Sequence, residues 1–255
     1  MRTRLFSIAV TLILVLSFVA LPVFAQEGLD TVIGETEISL NGERQHVRTQ
    51  ETNLGNLVCD IIRENTGADI ALYNGGGIRD SADLGEITLE TAMAILAFDN
   101  EVVTLEMTGQ QIWDALEHGL HGYPEVVGGF LQVSGLRFYF DPSKEPYNRV
   151  GKVLVGGSGI SLNKTYTVAT NGFIASGGDD FSMMGEAKQL KTFELTDQKM
   201  FIRYIQENSP LFPMVKGRTC SSTRLNIAFI TLSECCAGGD LCVVPCKTFY
   251  SHRCI

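Results

Sequence analysis

The chain is 255 residues long, 45% hydrophobic and 19% charged, the balance of a globular protein rather than a disordered one. A formal charge of −9 repels a nucleic-acid backbone and sets that class of partner aside. No repeat period or low-complexity run is present, and after about the first 25 residues no apolar stretch is long enough to span a membrane.

The chain opens with Arg2 and Arg4, a mostly apolar run over 5–20, and Val23-Phe24-Ala25 as a small-residue cleavage site. That order predicts a secretory signal over 1–25 and an exported protein, with an uncleaved membrane anchor as the competing reading. Cleavage would remove both arginines and leave a more acidic remainder with no membrane segment. Thr31-Val32-Ile33-Gly34 and Glu37-Ile38-Ser39-Leu40 alternate as a short edge strand does, and Asn41-Gly42 signals a turn.

Leu54, Leu57, Val58, Ile61 and Ile62 recur at helical spacing, with Thr52 or Asn53 as the N-cap. Ala68-Asp69-Ile70-Ala71-Leu72-Tyr73 reads as a buried strand that runs into Asn74-Gly75-Gly76-Gly77-Ile78-Arg79. Three glycines at a strand's end let backbone approach a ligand closely. Arg48 and Arg79 flank this unit with guanidinium forks, which suit an anionic or hydroxyl-rich small molecule.

Ser81 to Gly85 reads as a polar turn, and Thr88 caps a short helix through Leu89, Ala92, Ile95 and Leu96. Val102 to Met107 is strand by its β-branched content. Thr108 and Gln111 have capping-box spacing and start a helix with Ile112, Trp113, Leu116 and Leu120 inward. Phe130 to Phe140 reads as a strand pair or one bent strand. Val150 to Val155 and 165–170 are two more strands, and a second glycine-rich loop runs from Thr170 to Phe181. Thr196 caps a last helix with Phe201, Tyr204 and Ile205 inward, which Ser209-Pro210 ends. Helices and strands mingle without strict alternation, so the predicted class is α+β with a mixed β-sheet and packed helices.

Composition changes after residue 218. Cys220, Cys235, Cys236, Cys242, Cys246 and Cys254 fall in 219–255, against Cys59 alone upstream. A disulfide-bridged appendage, a zinc site on Cys242, Cys246, His252 and Cys254, and a disordered or misread tail are all open readings. The predicted division is thus a signal over 1–25, one domain over 26–218 and a cysteine-rich tail over 219–255.

From about residue 31 to 218 the chain resembles the C-terminal, substrate-binding domain of the 5′-nucleotidase / 2′,3′-cyclic phosphodiesterase family. The resemblance rests on five ordered motifs. They are Arg48-Thr49-Gln50-Glu51-Thr52-Asn53-Leu54-Gly55-Asn56-Leu57, Asn74-Gly75-Gly76-Gly77-Ile78-Arg79, Ala97-Phe98-Asp99-Asn100, Gly129-Phe130-Leu131-Gln132-Val133-Ser134-Gly135, and Phe173 through Asp179-Asp180-Phe181. It implies that Phe98 and Phe173 sandwich a nucleobase and that Asp179 accepts from the ribose hydroxyls. It further implies that Arg48 and Arg79 contact phosphate, and that Asn74 and Asn100 border the base. Read singly, each residue has a plainer role open to it. Phe98 and Phe173 could be core aromatics, Asp179 a turn cap, Arg48 a surface ion-pair partner and Asn74 a left-handed turn residue.

The family's hydrolytic chemistry sits in a separate metallophosphatase domain with two metals, whose Asp-x-His and Gly-Asn-His motifs this sequence lacks. Its four histidines are His46, His118, His121 and His252. His118 and His121, three apart on the Trp113 helix, are expected on an exposed face without a metal role. No Ser-His-Asp order or reactive-cysteine signature replaces the metals. The chain is therefore expected to bind a nucleotide or nucleoside, to carry no cofactor or catalytic residue of its own, and to hydrolyse poorly or not at all alone. The alternative expectation is a stand-alone nucleotide-binding or cell-surface interaction module.

Overall fold

The structure, a computed structural model, describes residues 28–222. The predicted signal over 1–25 and the tail cysteines other than Cys220 lie outside the described residues. The described chain begins with β1 (Val32–Thr36), a helical turn α1 (Arg44–Val47) and α2 (Asn53–Thr66). Thr52 is the α2 cap, its hydroxyl accepting from Gly55 N at 2.9 Å. Then come β2 (Ile70–Asn74), β3 (Gly85–Thr88), α3 (Leu89–Ile95) and β4 (Val102–Thr108). The capping box of Thr108 and Gln111 forms with both bonds and starts α4 (Gly109–Gly119). Four strands follow: β5 (Leu131–Ser134), β6 (Leu136–Phe140), β7 (Val150–Val155) and β8 (Ser158–Gly159). The chain closes with β9 (Thr165–Asn171), α5 (Gly172–Ala175), α6 (Ser182–Gly185), β10 (Lys188–Thr192), α7 (Asp197–Asn208) and β11 (Thr219–Ser221).

The central sheet runs β10-β4-β9-β2-β5 and is mixed, because β2 and β9 are parallel while the other neighbours are antiparallel. Its strands alternate between two apolar cores, as a pleat covered on both faces must. Ala71, Tyr73, Val102 and Ala169 face the α2, α3 and α7 side, against Leu54, Val58, Ile61, Ile62 and Phe201. Ile70, Leu72, Val103, Leu105 and Val168 face the opposite side, against Ile112 and Leu116 of α4 and Phe138 and Val153 of the second sheet. That second sheet has the order β11-β6-β7-β8, and β1 with β3 forms a small third one. The architecture is α+β with mixed sheets, as predicted.

Three details differ from the sequence reading. Glu37 to Leu40 is not strand; Thr36 donates its hydroxyl to Ile38 O at 2.7 Å, and that local bond competes with the ladder. The Phe130–Phe140 run is one chain that leaves the central sheet after Ser134 and joins the second sheet at Leu136. The folded body also extends past residue 218. β11 pairs parallel with β6, and Arg218 beside it reaches Asp60 of α2 at 2.7 Å and Val133 O of β5 at 2.9 Å.

Candidate functional site

The central sheet gathers its loops at one end. β2 and β9 finish there, at Asn74 and Asn171, while the antiparallel β4 and β5 begin there, with Val102 opposite Asn171 and Leu131 opposite Asn74. Backbone bonds then stitch the emerging loops together. Gly75 N donates to Phe130 O at 2.7 Å, Gly76 N to Gly128 O at 2.8 Å, and Gly172 N to Glu101 O at 2.8 Å. Six of the predicted residues (Asn74, Arg79, Phe98, Asn100, Phe173 and Asp179) stand on these loops and strand ends.

Arg48 arrives from outside the sheet by close backbone approach. A Cβ on Gly75 would fall 2.1 Å from Val47 O, so only glycine lets the α1 end lie against this turn. Gln132 of β5 pins the segment that follows, donating to Val47 O at 3.0 Å and Gln50 O at 2.7 Å. Its oxygen takes Thr52 N at 3.2 Å.

A chain of side-chain bonds orders the far wall. Ile174 N donates to Asn171 Oδ1 at 3.1 Å, capping α5. Asn171 Nδ2 donates to Asn74 Oδ1 at 2.9 Å, and Asn74 Nδ2 to Asp179 Oδ2 at 3.0 Å. The donors and acceptors fix both amide orientations. Asn74 is extended, at φ −70°, so the left-handed role does not apply to it. Asp179 and Asp180 are left-handed, at φ 51° and 62°, as is Asp99 of the Phe98 loop at 48°. Such backbone costs roughly 1–2 kcal/mol per residue and needs surrounding contacts to hold it.

The two aromatics are not core residues. Phe98 is 58% exposed and Phe173 47%, whereas Phe130, Phe138, Phe181 and Phe201 are fully buried. The guanidinium of Arg79 lies 5.4 Å above the Phe98 ring, a cation–π contact. Arg48 is 7% exposed, and its buried Nε–H finds no acceptor among the described residues. Burial pushes the Arg48 guanidinium below the usual arginine range, the charges of Arg44 and Arg79 push the same way, and Asp179 opposes them. Arg44, four residues before Arg48 across the α1 turn, is absent from the sequence-predicted set; its i, i+4 spacing is the available signal. The cations Arg44 and Arg79 and the Asp179 carboxylate thus act on Arg48 here, and an anionic oxygen would satisfy its open donor.

Asn100 stands in the Phe98 loop, with its amide nitrogen tied to the start of α7. Its Nδ2 donates to Asp197 Oδ2 at 3.1 Å, and the same oxygen accepts from Tyr73 at 2.7 Å. Asp197 N returns a bond to Asn100 O at 2.9 Å. Burial raises the Asp197 carboxyl above its usual range, with the Tyr73 and Asn100 bonds opposing. Asn100 therefore fastens the loop that carries Phe98. Sequence reasoning misses Asn171 and Asp197, whose partners lie about 100 residues away.

The histidine pair is corrected by the structure. α4 ends at Gly119, so His121 lies beyond the helix, and His118 is 6% exposed rather than on an open face. His118 Nε2 sits 2.7 Å from Asp179 O and His121 Nδ1 2.6 Å from His118 O, so one nitrogen of each ring donates to a carbonyl. Among the described residues no group of three His, Cys, Asp or Glu side chains is placed to hold a metal. This donor set does not fit a two-metal phosphatase centre.

An α+β domain that sets exposed rings, guanidiniums and a held carboxylate on the loops of one sheet end has the chemistry to take a flat, anionic small molecule. The chain belongs to the 5′-nucleotidase C-terminal domain family, whose model matches residues 32–186. It is 38% identical over 196 residues to the trifunctional nucleotide phosphoesterase protein YfkN of Bacillus subtilis, covering 73% of this chain and 13% of that protein. It is 31% identical over 214 residues to the human 5′-nucleotidase, covering 75% and 37%. The crystal structure of a 5′-nucleotidase precursor from Thermus thermophilus superposes with a TM-score of 0.72 at 38% identity, over 75% of this chain and 39% of that one. The chain thus spans well under half the length of these relatives.

Proposed function

We propose that this domain binds the nucleotide or nucleoside substrate of an exported 5′-nucleotidase-type hydrolase in nucleotide catabolism. The observation that carries the reading is the pair of exposed rings, Phe98 and Phe173, on stitched loops with the held Asp179 carboxylate and an Arg48 donor that finds no acceptor among the described residues. Two aromatic faces hold a base by stacking, worth roughly 1–3 kcal/mol per base. The carboxylate accepts from a ribose diol, and Arg48 and Arg79 take phosphate oxygens as forks. These residues bind and orient. Phosphate-ester cleavage would fall to metals held by a separate metallophosphatase domain, which would supply the activated water.

One relative supports export and the ligand class: the snake venom 5′-nucleotidase of Macrovipera lebetinus, 33% identical over 209 residues. Calorimetric titration of the full chain with AMP and adenosine tests the reading. Binding that weakens about tenfold in Phe98→Ala and in Phe173→Ala is the expected result. Flat titrations of the wild type would leave the interaction-module alternative in its place.

A further inference from the structure

His118 is a buried histidine that substrate binding leaves without a task. It lies in the last turn of α4, with the Phe181 ring edge-on at 4.6 Å and the His121 ring stacked at 4.8 Å. Its Nε2 is 2.7 Å from the carbonyl oxygen of Asp179. A carbonyl only accepts, so Nε2 carries the proton. Nδ1 faces the Tyr147 hydroxyl at 3.5 Å, and His121 Nδ1 donates to His118 O, which fixes both rings. The neighbouring Glu117 is engaged elsewhere, taking the Arg149 and Val150 amides at 2.9 Å.

Asp179 is therefore gripped at two points. Asn74 holds its carboxylate, and His118 holds its peptide plane through the carbonyl oxygen. With φ at 51° and the next residue also left-handed, the plane's direction decides where the carboxylate points. We propose that His118 is the positioning residue for Asp179, aiming its carboxylate at the diol of a bound ribose. The inference rests on the nucleoside reading of this site. Its grip on the loop can nonetheless be measured without any ligand.

The test compares His118→Phe, which keeps a ring and loses the donor, with His118→Gln, whose amide nitrogen reaches the place of Nε2. Amide exchange of the ligand-free full chain is the first readout. His118→Phe should speed exchange over 177–181 about tenfold or more while β2, β4 and β9 stay unchanged, and His118→Gln should restore most of the protection. Affinity for adenosine against 2′,3′-dideoxyadenosine is the second. His118→Phe should weaken adenosine about tenfold, leave the dideoxy compound nearly unmoved, and add nothing further in an Asp179→Asn background. Unchanged exchange over 177–181 would overturn the proposal, as would equal losses for the two ligands or a full additional loss beside Asp179→Asn. A wild type that binds neither compound while exchange responds as expected would sink the nucleoside reading and uphold His118 as the holder of this loop. Should His118→Phe not fold, His118→Asn serves instead, because its amide nitrogen sits at the place of Nδ1 and should fail where glutamine succeeds.

Discussion

Asn74 donates its side-chain amide to Asp179 at 3.0 Å, joining residues 105 positions apart. Its oxygen takes the amide of Asn171, so one side chain ties the β2 end to the β9 end and to the loop beyond. Asn74→Ala cuts both ties. About 1–3 kcal/mol of stability should go with the buried groups left unpaired, and adenosine affinity should drop by about tenfold. Thermal unfolding and calorimetry of the same sample check the two effects together.

Arg48 predicts a trade between stability and binding. A buried cation with an unpaired Nε–H is costly to the free protein and useful to an anionic ligand. Arg48→Met should leave stability unchanged or raise it by up to about 1 kcal/mol, while weakening AMP roughly 10–100-fold. Adenosine, which lacks the phosphate, should be nearly unaffected. Titrations of both ligands beside a urea melt would reveal the split.

Asp197 holds the Phe98 loop from behind. Replacing it with alanine leaves the Tyr73 hydroxyl and the Asn100 amide without their shared acceptor. A loss of roughly 2–4 kcal/mol is expected, with faster amide exchange over 97–101 and weaker base stacking. Denaturant midpoints and exchange rates are the measurements.

Acid stability should report Asp60. Burial pushes its carboxyl up, but bonds from Arg218 and Ser134 and the charge of Lys216 outweigh that and hold it below the usual range. A carboxylate depressed in the folded state adds stability above its unfolded pKa of about 3.9, and that stability is lost as pH falls through the lower folded value. Asp60→Asn should therefore cost about 1.5–3 kcal/mol near pH 6 and flatten the acid limb of the stability curve. Urea midpoints collected from about pH 6 down to about pH 2 would display the two slopes.

Much of this is legible in the sequence because it is local. Thr52, Thr88, Thr108 and Thr196 cap their helices by bonds that reach only three residues ahead; the sequence points to the last three directly and to Thr52 as one of two neighbours. The loops of the site can be read as ordered motifs. What escapes depends on partners distant in sequence. β10, a fully exposed Lys188–Thr192 edge, is strand only because β4 lies beside it, and β11 only because β6 does. Likewise the bond from Asn100 to Asp197, 97 positions away, leaves no signal in the sequence. The burial of His118 depends on the fold of 179–181, which helical spacing around Trp113 does not encode.

The sheet that collects these loops at one end leaves, among the described residues, an open turn toward its opposite end. The β7–β8 turn at Gly156 and Gly157 lies beside Gly135, at the far end of β5 from Gly128 and Phe130, and a Cβ at either turn glycine would meet nothing within 4 Å. A fluorescent reporter inserted between Gly156 and Gly157, or new termini opened there, should leave the recognition end intact, which makes this domain a natural chassis for a genetically encoded sensor.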